Sequence, residues 1–168
     1  DQGDTFTPYL LTANHCFSTG DSAASLEAYW DYRTPSCNGS IPSFANLQRS
    51  SGAQLLATQS TTDFTFVKLY SVPAGRTFLG WDPRNQVSGT VFYRISFPFP
   101  DGASQPFPAS FSSTTLDSSA ATCTGRDRPY FLYSVQGQGG VYGGSSGSPA
   151  MTSDGAVLGQ LLGACGPN

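Results

Sequence analysis

A chain of 168 residues is long enough for one domain of ordinary size or for two small ones. Apolar residues make up 38% of it and aromatic residues 13%, which favours a folded core over disorder despite 19 Gly and 12 Pro. The net charge of −3 provides no basic surface for a nucleic-acid partner. No run approaches about 18 consecutive apolar residues, so we expect no membrane span.

The composition also predicts the fold class. Only 11% of the residues are charged, with a single Lys and a single Glu, although surface helices usually carry many of both. Ser, Thr, Gly, Phe and Tyr are abundant instead, which is typical of strands joined by turns. We therefore predict an all-β protein.

Predicted strands follow one another along the chain, bounded by turn-forming residues. In the first half they are residues 9–13, 24–32, 53–58 and 64–70. In the second half they are residues 77–81, 90–97, 130–135 and 156–162. Between them, segment 101–119 gives no readable pattern and segment 137–147 is a Gly-rich loop. The Pro- and Gly-containing stretch 71–75 predicts a division into two β units, residues 1–74 and 75–168.

The cysteines indicate an oxidising compartment. The chain has four, none in a Cys-x-x-Cys pair, and its single histidine cannot complete a Cys/His zinc site. An even number at wide spacing favours disulfides. We expect no metal site and no cofactor.

Acyl transfer through a serine needs a nucleophile, a base, an orienting carboxylate and donors for the oxyanion, and the chain offers one candidate for each role. His15, the only histidine, follows a strand, although a single histidine is more often a surface or core residue. Ser146 alone among its neighbours lies two residues after a Gly and directly before one, although Gly/Ser-rich stretches are usually flexible loops. Asp63 precedes an apolar strand, a place where Asp also serves as a cap. Their order, His, Asp, Ser, is that of chymotrypsin.

Three segments carry a resemblance to the chymotrypsin superfamily of serine proteases. Residues 12–16 read Thr-Ala-Asn-His-Cys, residues 144–149 read Gly-Ser-Ser-Gly-Ser-Pro, and residues 63–69 begin Asp-Phe-Thr-Phe. The resemblance implies that the backbone N–H groups of Gly144 and Ser146 form the oxyanion hole. It also implies a Cys16–Cys37 disulfide beside the histidine. Cys123 and Cys165 are then left to pair with each other or with partners outside the chain.

Further motifs are similar to those of bacterial secreted lysyl endopeptidases, among them Tyr-Trp-Asp-Tyr at 29–32, Leu-Gly-Trp-Asp at 79–82 and Val-Leu-Gly-Gln-Leu at 157–161. This resemblance implies two Greek-key antiparallel β-barrels with the active site between them. The first, residues 1–74, would carry His15 and Asp63, and the second, residues 75–168, would carry Ser146. It also implies a secreted endopeptidase with protein or peptide substrates. The sequence leaves the oligomeric state open, and we expect a monomer.

The chain departs from the family pattern in three ways. The family's pocket histidine is replaced by Leu162, and the acidic residue that trypsins carry six residues before the serine is replaced by Gly140. We expect an apolar pocket instead, and the residues assigned to substrate binding are Gly140, Leu161, Leu162 and Gly163. Only 14 residues precede His15 and 22 follow Ser146, so we expect both barrels to be truncated.

Two other hypotheses remain open. The chain is compatible with a protease-fold binding or adhesion module that performs no turnover, although it keeps all three triad residues. An unrelated Ser/Phe-rich β-sandwich would require three motifs to occur in order by chance.

Overall fold

Nearly all regular structure in the protein is β-strand. A computed structural model describes residues 5–165. Its strands are β1 (Tyr9–Ala13), β2 (Glu27–Tyr29), β3 (Arg49–Ser51), β4 (Ala53–Gln59), β5 (Phe64–Leu69), β6 (Val91–Ser96), β7 (Ser110–Leu116), β8 (Ser134–Gln136), β9 (Pro149–Met151) and β10 (Val157–Gln160). A five-residue helix, α1 (Gly20–Ala24), and a 3-10 turn, Phe44–Asn46, are the helical elements of the described residues. The predicted all-β class is confirmed.

The first half of the chain is built on an antiparallel sheet with strand order β1-β5-β4, beside an antiparallel pair β2-β3. Alternate residues of β5 point inward, as the two-residue period of a strand requires. Among them Val67 and Leu69 join Ala23 and Ala53 in the apolar core. The helix therefore closes one side of this sheet through Ala23, which is fully buried.

The second half forms one antiparallel sheet of five strands in the order β10-β9-β6-β7-β8. Its buried side chains are largely polar. On β6 they are Phe92, Arg94 and Ser96, and on β7 they are Ser112, Thr114 and Leu116. This interior therefore differs from the apolar core of the first half.

The sheets are open rather than closed in the described residues. β8 and β10 are the two edges of the second sheet and do not pair with each other. Strands before residue 70 pair only among themselves, as do those after residue 90. The division at residues 1–74 and 75–168 stays a prediction, and its end residues, 1–4 and 166–168, lie outside the described part.

Several strand predictions are corrected by the structure. The strand expected at 24–32 is reduced to β2. At its start, helix α1, which Thr19 caps by accepting a hydrogen bond from the Ser22 N–H, takes up Ala24, and at its end Asp31 has a left-handed φ of 59°. Segment 77–81 forms no strand, and segment 101–119 contains β7. Of the strand expected at 130–135, only its last two residues belong to β8. No helix in the described part has the length and apolarity needed to cross a membrane.

Candidate active site

His15 and Asp63 are joined by two hydrogen bonds. The His15 ring Nδ1 lies 2.8 Å from Asp63 Oδ2, and the His15 backbone N–H donates to Asp63 Oδ1 at 2.9 Å. The Asp63 side chain is 5% exposed whereas the His15 side chain is 45% exposed. One edge of the imidazole is therefore fixed by a buried carboxylate while much of the ring is accessible from outside.

The strand pairing explains why these two residues meet. Ala13 at the end of β1 pairs with Phe64 at the start of β5, so the residues just beyond them lie at the same end of the sheet. Asp63 adopts a left-handed backbone conformation, with φ of 52°, which an Asp tolerates better than most residues. Its carbonyl oxygen accepts hydrogen bonds from the Asn14 N–H, at 3.0 Å, and from Gln160 Nε2, at 2.6 Å. Gln160 thus connects this turn to β10 of the second half.

Two glycines shape the loop that carries Ser146. Gly144 and Gly147 both have positive φ, 83° and 77°. A Cβ atom on Gly147 would lie 2.3 Å from Thr12 Oγ1, so only glycine allows this loop to pack against β1. The Gly147 N–H also donates to the Leu161 carbonyl at 2.8 Å. The serine loop is therefore held between the histidine strand and the segment that follows β10.

Two backbone donors beside the serine have no acceptor among the described residues. The N–H groups of Gly144 and Ser146 donate to no residue in the described range 5–165, whereas those of Ser145 and Gly147 donate to Tyr142 and Leu161 carbonyls. Donors that are free of protein acceptors are one requirement of an oxyanion hole, and these two N–H groups meet it. Both donors are the ones that the family motif implied.

The Ser146 hydroxyl does not point at the histidine. Ser146 Oγ donates to the Leu162 carbonyl oxygen at 3.4 Å, and no hydrogen bond joins it to His15 among the described residues. A change of χ1 between staggered rotamers is the motion that redirects a serine hydroxyl. Catalytic hydrogen bonds often form fully only when substrate binds. The structure thus joins His15 and Asp63 of the predicted triad by hydrogen bonds, whereas Ser146 is hydrogen-bonded to a neighbouring carbonyl oxygen.

Comparison with known proteins gives the relationship. A family model for the lysyl endopeptidase C-terminal domain matches residues 1–167. The chain belongs to this family. A solved structure, the apo form of the MamO protease domain from Magnetospirillum magneticum, matches with a TM-score of 0.53 and 15% identity, over 96% of this chain and 74% of that chain. The predicted relationship to chymotrypsin-like proteases and the trypsin-like β fold are thereby confirmed.

The disulfides of this lysyl endopeptidase-type domain correct one expectation. Cys123 and Cys165 are bonded to each other. Cys16 and Cys37 are both free and exposed, so the predicted Cys16–Cys37 bridge is wrong in this structure. The Cys16 thiol lies in the turn after β1, and partial burial raises its pKa. Cys37, the expected partner of Cys16, lies in a separate exposed turn at residues 37–38.

A cavity of about 740 Å³ contains most of the predicted substrate-binding residues. Leu161, Leu162 and Gly163 line it on one side and Val141 lines it too. Gly140 does not line this cavity; a Cβ there would lie 2.6 Å from the Tyr142 ring. No group of three or more metal-ligating His, Cys, Asp or Glu residues occurs within residues 5–165.

Sequence reasoning missed Arg94, which also lines the cavity. Along β6 the apolar side chains Val91 and Ile95 are exposed, whereas Arg94 and Ser96 are buried. An alternating pattern predicts the opposite, with the apolar face inside. One feature of the sequence could have drawn attention to Arg94. Strands β6 and β7 contain no Asp or Glu, so the arginine has no acidic partner on its own hairpin.

Proposed function

We propose that the protein is a serine endopeptidase that forms an acyl-enzyme on Ser146, with His15 as general base and acid and Asp63 as the orienting carboxylate. The observation that carries the proposal is the pair of hydrogen bonds between Asp63 and His15. It is the arrangement in which a buried carboxylate fixes both the ring orientation and the tautomer of a catalytic histidine.

The proton transfers follow from this arrangement. With Asp63 Oδ2 accepting from Nδ1–H, the Nε2 lone pair of His15 is available to take the Ser146 proton. The resulting imidazolium is stabilised by the same carboxylate and then protonates the leaving amine. Water repeats the sequence in reverse and releases the acyl group. No step calls for a metal or an organic cofactor.

The oxyanion is stabilised by the two unpaired N–H groups of Gly144 and Ser146. Each such donor is worth roughly 2.7–4 kcal/mol of transition-state stabilisation in serine proteases. The Phe99 N–H donates to the Gly143 carbonyl oxygen at 2.6 Å, so the peptide unit that carries the Gly144 N–H is held in place before substrate arrives. Such pre-positioning avoids a reorganisation cost during the reaction.

Protein or peptide chains are the proposed substrates, because this is a protease-type domain. We also propose that it works outside the cytoplasm. The Cys123–Cys165 disulfide supports this, because such bonds persist in oxidising compartments.

The alternative, a protease-fold binding module without turnover, is favoured by one observation: Ser146 Oγ bonds to the Leu162 carbonyl and not to His15. A fluorophosphonate probe separates the two. We expect it to label Ser146 in the folded protein and to fail with Ser146→Ala or His15→Ala. Ser148→Ala is the matched control, because it removes a buried hydroxyl that has no hydrogen-bond partner in the described structure. Folded protein that resists the probe and cleaves no peptide library would overturn the endopeptidase and leave the binding module standing.

A further inference from the structure

Arg94 is a buried cation that has no counter-ion among the described residues. The residue is 5% exposed, and its Nε finds no acceptor in the described chain. Its one hydrogen bond runs from Nη1 to Ser112 Oγ at 3.4 Å. No carboxylate within residues 5–165 pairs with it, whereas Arg76 and Arg84 lie 2.7 and 2.8 Å from aspartate oxygens.

Such an arrangement is unfavourable in the protein alone. A buried charge loses its hydration, and without a partner nothing offsets that loss. Burial lowers the pKa of the Arg94 guanidinium, and no neighbouring charge acts against that effect. The guanidinium nevertheless places five N–H donors on the buried face of the second sheet. A carboxylate could accept hydrogen bonds from these donors and neutralise the charge.

The guanidinium lines the same cavity as the predicted substrate-binding residues. Its lining includes Leu162, whose carbonyl oxygen accepts a hydrogen bond from the Ser146 hydroxyl. Elsewhere on its wall lie Arg94 and a second arginine, Arg126, which stacks over the Phe131 ring. None of the described residues lining it is Asp or Glu. One residue that lines the cavity therefore contacts the proposed nucleophile, and the charged residues among its described lining are both cations.

We propose that Arg94 determines specificity in the primary substrate pocket and that it binds the carboxylate of a Glu or Asp side chain preceding the cleaved bond. The proposal rests on the proposed endopeptidase function. Arginine recognises carboxylates through paired, charge-assisted hydrogen bonds. The apolar side chains of Val141 and Leu162 suit the methylene groups of such a substrate residue. A lysine side chain would instead meet a cation of its own sign.

The test uses fluorogenic peptides that differ only in the residue before the cleaved bond: Glu, Asp, Gln, Leu and Lys. We expect kcat/KM for Glu to exceed that for Gln by about 10- to 100-fold, the range for a hydrogen bond to a charged group. Arg94→Met should bring Glu down to the level of Gln and leave Leu within about twofold. Arg94→Lys should retain part of the preference for Glu. Arg84→Met, which removes an exposed arginine paired with Asp82, is the control and should leave every ratio unchanged.

The outcomes separate the two proposals. A native protein that is labelled by the fluorophosphonate but prefers Lys or Leu over Glu overturns the role of Arg94 and leaves the endopeptidase standing. Absence of both labelling and cleavage overturns both. An Arg94→Met variant that folds and keeps the Glu:Gln ratio also overturns the specificity role. Should that variant fail to fold, the ranking of substrates by the native protein decides alone.

Discussion

Replacing Asp63 by Asn tests the orienting carboxylate without changing its shape. Asp63 offers one oxygen to the His15 ring and the other to the His15 backbone N–H. An amide has a single acceptor oxygen. If that oxygen stays with the backbone N–H, the amide NH₂ faces Nδ1, and the ring must carry its proton on Nε2. In that tautomer Nε2 cannot accept the Ser146 proton.

We expect Asp63→Asn to lower kcat strongly and the free energy of unfolding only slightly. The same substitution in a Ser-His-Asp triad lowers kcat about 10⁴-fold, which corresponds to about 5.4 kcal/mol of activation free energy. The left-handed backbone at residue 63, with φ of 52°, is as accessible to Asn as to Asp. The free energy of unfolding should therefore fall only by about 1–3 kcal/mol, the worth of a hydrogen bond to a charged group.

Steady-state peptide cleavage measures the rate, and ¹⁵N NMR reads the tautomer directly because His15 is the only histidine. The matched control is Asp31→Asn, an exposed aspartate with φ of 59° that is paired with Arg76. We expect that control to keep kcat within about twofold. A kcat for Asp63→Asn within tenfold of the native value would refute the orienting role, as would an unchanged tautomer.

Two further predictions concern the loop packing and the thiols. Gly147→Ala should lower the free energy of unfolding by about 2–3 kcal/mol in urea titration, because a Cβ would meet Thr12 at a positive φ. Gly143→Ala, whose nearest contact would be 3.7 Å away, should cost at most about 0.5 kcal/mol, and equal losses would contradict the packing argument. Native alkylation followed by peptide mass spectrometry should modify Cys16 and Cys37 but not the bonded pair, with Cys16 slower than a cysteine in a short peptide because its pKa is raised. Recovery of a Cys16–Cys37 disulfide peptide from the same sample would contradict the structure.

His15 could be assigned from the sequence as the only histidine in a family-like motif, and Asp63 mainly from its place in the chain order and its resemblance to the family segment. Strand pairing then explains why the two residues meet. β1 and β5 are short, apolar and bounded by turn residues, and antiparallel pairing brings the end of one to the start of the other. Ser146 could be assigned from its glycines, which the turn conformation requires. The direction of its hydroxyl could not, because a side-chain rotamer depends on neighbours distant in sequence, here the Leu162 carbonyl.

The polar interior of the second sheet could not be predicted from the sequence. β7 buries Ser112 and Thr114, so its interior face carries no apolar period to detect. β6 buries Arg94 and exposes Ile95, which inverts the usual pattern. Tertiary packing determines which face of each of these strands is buried. The polar interior that results is the feature on which the proposed specificity depends.

The central claim, acyl transfer through Ser146, is tested most directly by trapping the intermediate. Acid quench within milliseconds of mixing with an activated ester, followed by peptide mass spectrometry, should find the acyl group on Ser146. The released alcohol should appear as a burst equal to the amount of enzyme. Turnover without a burst, or an acyl group found on another residue, would contradict the account.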